Sequence, residues 1–103
     1  MITIDLHDYL SAADIKAMQD VLPSFDMHSV SVCLSDDKLV PDAKYDSGLD
    51  ELESRLYDAE VDAVQESPNG DGSPRATAIA RLADKIFNLS EGFYDGEAQP
   101  IKV

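Results

Sequence analysis

Positive charge is what this sequence has least of: eight lysines and arginines face 21 aspartates and glutamates in 103 residues, giving a net charge of −13. With so few bases and no basic cluster, direct contact with DNA, RNA or an anionic lipid surface is electrostatically opposed, so a charged partner is expected to be basic. A single cysteine, Cys33, excludes an internal disulfide framework and fits a reducing compartment. No run of about 18 apolar residues is available to span a bilayer, which predicts no membrane partner. The segment Met1–Asp5 also lacks the basic and then apolar pattern of a secretory signal, so a cytoplasmic location is expected.

Catalytic signatures are missing as well. There is no G-x-S-x-G, no P-loop and no G-x-G-x-x-G. Cys33 alternates with core-type positions and has no cationic neighbour to activate it, so it reads as a small buried thiol. Carboxylates are so numerous that proximity of a pair says nothing about acid–base catalysis. The expectation is a non-enzyme without a cofactor. Internal repeats and low-complexity tracts are also absent, and the length suits one domain with one core.

What is present is a concentration of acid in the middle of the chain. Residues 36–71 hold twelve acids and three bases, whereas residues 72–90 hold three bases and one acid. The centre of that block, Leu49–Glu66, has the longest helical pattern. At 100° per residue, Leu49, Leu52, Leu56, Ala59 and Ala63 fall in one arc, and Glu51, Asp58, Asp62 and Glu66 gather opposite, with Arg55 among them. Ser47 and Asp50 have capping-box spacing at its start, and Ser67–Gly72, with one proline and two glycines, stops it.

The other elements follow from period and caps. Ile2, Ile4 and Leu6 alternate with polar residues as a first strand; Ser11, with Asp14 three residues on and Leu10 and Ile15 placed as a staple, opens a helix over 12–22 that Pro23 ends. His28, Val30, Val32 and Leu34 alternate as a second strand, and Lys38–Val40, after the turn at Ser35–Asp37, is placed as a short return strand. Ser73 and Pro74 open a last helix over 74–90 with Ile79, Leu82, Ala83, Ile86 and Leu89 on its apolar arc, widened by Ala76, Ala80 and Phe87. Residues 91–103 are expected as a flexible tail in which Pro100–Val103 either adds a last strand or frays. The fold class is α+β: a small two- or three-stranded sheet, one crossover helix, and a C-terminal antiparallel helical hairpin.

Two stretches have partial metal-site patterns. Asp5 and His7, two apart on a strand, would make a carboxylate and imidazole cluster with Asp8 or His28, but that spacing carries weight only if the fold unites the two histidines. Ser67–Gly72 matches EF-hand positions three, five and six through Asn69, Asp71 and Gly72, yet lacks the first Asp and has Ala78 where the bidentate Glu must stand. No metal is expected from sequence.

The functional expectation is a small acidic inhibitor or regulator of a basic nucleic-acid-binding protein, presenting carboxylates in place of phosphates in the manner of phage-encoded anti-restriction or anti-CRISPR proteins. Its contact residues are Asp36, Asp37, Asp42 and Asp46 before the helix, Glu51, Asp58, Asp62 and Glu66 on it, and Tyr57 as an anchor on the flank beside Val61. A helix alone spaces Asp58, Asp62 and Glu66 about 6 Å apart, sparse beside one charge per about 1.7 Å of duplex axis, so the preceding aspartates are needed. Two alternatives stand beside it: a homodimer or assembly module in which Arg75, Arg81 and Lys85 meet a neighbour's acidic helix, and a salt-adapted domain, since Asp outnumbers Glu 15 to 6.

Overall fold

The computed structural model describes residues 2–34, 47–65 and 74–97. Strand β1 (Ile2–Ile4) is followed by a single 3₁₀ turn (Leu6–Asp8) and helix α1 (Ala12–Val21); strand β2 (Val30–Val32) precedes α2 (Gly48–Gln65) and α3 (Pro74–Tyr94). The two strands form an antiparallel pair with Ile2 opposite Val32, Thr3 opposite Ser31 and Ile4 opposite Val30. This is the α+β architecture expected from the sequence. The return strand at Lys38–Val40, the loop at Ser67–Gly72, the Ser73 cap and a strand in the last residues fall outside the described residues.

Local signals set most boundaries. The Ser11 hydroxyl accepts the backbone N–H of Asp14 at 3.2 Å, and the staple residues Leu10 and Ile15 are both buried. The buried Ser47 accepts the N–H of Asp50 at 3.1 Å in the same way. Both strands are shorter than their alternating patterns. Asp5 ends the first by turning its carboxylate onto the N–H of His7, which opens the 3₁₀ turn in place of an extended Leu6. Asp26 accepts the N–H of His28 in a matching turn, so β2 begins two residues late.

Helix α3 runs four residues beyond the expected stop and carries Gly92 inside it. Phe93 decides this, because it is buried and meets Tyr9 edge-on at 4.9 Å between ring centroids. The helix then closes with Gly96 at φ +77°: the Glu97 N–H donates to the Gly92 carbonyl at 2.7 Å and the Gly96 N–H to the Phe93 carbonyl at 3.2 Å. Those are the two bonds of a Schellman cap, which needs a left-handed residue where glycine alone carries no steric penalty. Residues 91–94 therefore belong to the helix and not to a tail.

Among the described elements, α2 and α3 pack against each other most extensively. They run antiparallel, because Arg75 at the start of α3 shares a groove with Asp62 and Ala63 near the end of α2, while Tyr57, further back on α2, feels Asp84 in the middle of α3. Leu52, Leu56, Ile79, Leu82 and Ile86 are all buried in one cluster with Ile4, Val30 and Val32 of the sheet and Ile15 and Met18 of α1. Phe87, expected to widen the α3 arc, is 45% exposed instead. The N-terminus of α2 abuts β2, where the Gly48 N–H donates to the Ser31 hydroxyl at 2.6 Å. Helix α1 is tied to α3 by Lys85 and Asp14 at 2.7 Å. Among the described residues no helix is long and apolar enough to cross a membrane.

Candidate functional site

The expected contact surface is only partly within the described residues: Asp36, Asp37, Asp42, Asp46 and Glu66 lie outside them. Glu51, Tyr57, Asp58 and Asp62 are all exposed on α2, while Leu49, Leu52, Leu56 and Ala63 are buried and Ala59 half-buried, so the two faces of the helix separate as its periodicity requires.

The acidic face is not uniformly acidic. Arg55 reaches back one turn to Glu51 at 2.8 Å, and its guanidinium lies 5.7 Å from the centre of the Phe25 ring, tying the helix to the chain between α1 and β2. Arg75 lines an open groove with Asp58, Asp62, Val21 and Leu22. On that side, cations of the same chain already attend the carboxylates.

A second group of carboxylates lies on the other flank, around Tyr57. Burial of its ring against the helix surface raises the phenol above its ordinary range, and the charges of Glu53, Asp84 and Glu60 raise it further. Tyr57 and Val61 are 40% and 53% exposed, and together with Glu60, Val64 and Gln65 they line a shallow, mostly apolar groove. Glu53, Glu60 and Asp84 were missed by reasoning from sequence. A wheel drawn for one helix places Glu53 and Glu60 by angle, but Asp84 joins them only because α3 packs alongside, 27 residues away in sequence from Tyr57.

Of the basic residues of α3 expected to pair with a neighbouring copy, Arg81 is exposed, while Lys85 and Arg75 have acidic residues of the same chain near them. Lys85 is bonded to Asp14, and Arg75 faces the carboxylates of its own α2.

A second constellation lies just after β1 and just before β2. Two tripeptides, Asp5-Leu6-His7 and Asp26-Met27-His28, repeat the order acid, hydrophobe, histidine. In each, the aspartate Oδ1 accepts the backbone N–H of its own histidine at 2.9 Å. The middle residues, Leu6 and Met27, are completely buried, and the Leu6 N–H donates to the Met27 carbonyl at 2.9 Å. That pairing brings the two histidines together: their rings stack with centroids 4.3 Å apart and planes 8° from parallel. Asp5 lies across both, its Oδ1 2.7 Å from His7 Nδ1 and its Oδ2 3.0 Å from His28 Nδ1.

These contacts determine the protonation of Asp5. The hydrogen bond from the His28 ring, then the backbone N–H of His7, hold its carboxyl far below the usual carboxylate range, while contact with Asp5 raises His28 above its ordinary value of 6.5. An ionised carboxylate only accepts, so both Nδ1 atoms carry hydrogen and donate. The sequence offers His28 or Asp8 as a partner for Asp5 and His7 on an extended strand; the fold selects His28, and it does so through a turn at Asp5 that takes His7 off the strand.

No protein-family model, curated protein or solved structure matches this chain.

Proposed function

We propose that the protein binds a basic, nucleic-acid-handling protein through the acidic surface of α2, acting as an inhibitor or regulator in the way anti-restriction and anti-CRISPR proteins present carboxylates in place of phosphates. The observation that carries this reading is the setting of Tyr57: an exposed aromatic ring beside an exposed valine, surrounded by Glu53, Glu60 and Asp84 from two helices. An arginine or lysine of a partner finds there a ring face for its cation and stem, and carboxylates for its charge. Glu51, Asp58 and Asp62 extend the negative field along the helix and steer approach, with Asp36, Asp37, Asp42, Asp46 and Glu66 as its proposed continuation.

Capture of partners from the native host, followed by titration at several salt concentrations, tests this. Tyr57→Ala is expected to weaken binding by about 2 kcal/mol, the scale of an interface anchor. Neutralising Glu51, Asp58, Asp62 and Glu66 to Gln or Asn is expected to slow association and flatten its salt dependence while the fold persists. A partner that binds the folded neutralised variant with unchanged affinity and salt slope overturns the reading.

A further inference from the structure

We propose that Asp5, His7 and His28 form a surface binding site for a divalent first-row transition metal of the zinc class. This inference is independent of the acidic face of α2. Three observations carry it. The three side chains each offer a ligand atom, and these atoms all lie within 4.8 Å of one another, although His7 and His28 are 21 residues apart in sequence. Two ligands held about 2.1 Å from one tetrahedral ion stand about 3.4 Å apart. The Asp5 oxygens lie 2.7 and 3.0 Å from the two ring nitrogens, so the donors converge and have to part by roughly 0.5 Å to admit an ion.

The second observation is that the backbone of the site is fixed. Each histidine is held at its own N–H by the aspartate two residues before it, and the buried Leu6 and Met27 anchor both tripeptides to the core and to each other. When an ion replaces the protons on the nitrogens, the two exposed rings turn out of their parallel stack so that both lone pairs, which lie in the ring planes, point at it. The held backbone limits the ordering that binding has to impose.

The third is the chemistry of the donors. Two imidazoles and one carboxylate suit Zn²⁺, Co²⁺, Ni²⁺ or Cu²⁺ and match neither the all-oxygen shells of Ca²⁺ and Mg²⁺ nor a thiolate site. Asp26 adds negative charge close to His28. Three protein ligands leave open positions for water or for a side chain of another molecule.

The test uses the full-length protein stripped with a chelator, titrated with Zn²⁺ by calorimetry and followed by NMR of the imidazole protons. His7 and His28 are the only histidines in the sequence, so their signals report the site directly. The expected result is saturable 1:1 binding that moves both rings together, is not competed by millimolar Mg²⁺, and is weakened at least about tenfold in His7→Ala and in His28→Ala. Asp5→Asn, which keeps size while removing the charge, is expected to weaken it as well. Neutralising Glu51, Asp58 and Asp62 should leave it unchanged. The proposal is overturned if the unmodified protein shows no shift of the two rings with Zn²⁺, or if Mg²⁺ competes and the three-carboxylate variant loses binding, which marks diffuse association with acidic groups.

Discussion

Lys85 and Asp14 show how much one contact between elements does in a protein with so few cations. The ammonium beside Asp14 holds its carboxyl below the usual value of 3.8, with the Ser11 hydroxyl adding to the effect. A carboxylate whose folded value is depressed stabilises the fold fully above its unfolded value and loses that contribution as pH falls through the folded one. Since Lys85 is half exposed, the pair is expected to contribute about 0.2–1 kcal/mol. Lys85→Gln should therefore lower the melting temperature at pH 6, and the gap from the unmodified protein should close as pH drops below 3.8. A gap that is constant across that range would mean the lysine acts through packing of its stem and not through charge.

At the scale of elements, two contacts are exposed to direct test. Leu56 is fully buried where α2 meets α3, and its truncation to alanine is expected to cost about 2–5 kcal/mol through lost transfer energy and the cavity left behind. Denaturant titration measures this, and a loss within the noise would contradict the hairpin core. Gly48 is subtler. A Cβ there would stand 3.0 Å from the Ser31 backbone nitrogen and 3.1 Å from its hydroxyl, so the start of α2 rests against β2 with no room for a methyl group. Gly48→Ala should destabilise by about 1–3 kcal/mol through overpacking, although alanine is the better helix former. If alanine at this position stabilised the protein, the helix would not be seated against β2 as described.

For the whole molecule, the excess of thirteen negative charges sets a self-repulsion that the core must outweigh. Salt adaptation and partner binding differ here in what they require. A salt-adapted domain depends on molar salt to fold, whereas a binding protein of ordinary conditions is folded near 0.1 M, where the Debye length is about 10 Å. Circular dichroism melting across that range is expected to show a cooperative transition already at 0.1 M salt, with only a moderate rise in midpoint at higher salt. A chain unfolded at 0.1 M would favour salt adaptation and remove the motive for reading α2 as a docking face.

The sequence by itself determined those features whose cause is local. Ser11 and Ser47 bond to N–H groups three residues on, and the apolar arc of α2 repeats within each turn, so caps and faces are readable along a few residues. The limits of the strands were less legible, because Asp5 and Asp26 each bend the chain with a side-chain bond that competes with the alternating pattern. Tertiary structure alone decided three things: that Gly92 stays helical because Phe93 finds Tyr9, that Asp84 joins Glu53 and Glu60 around Tyr57, and that His7 and His28 stack across Asp5. Each requires side chains distant in sequence to be placed by a packed core, and no periodicity within a single element records that placement.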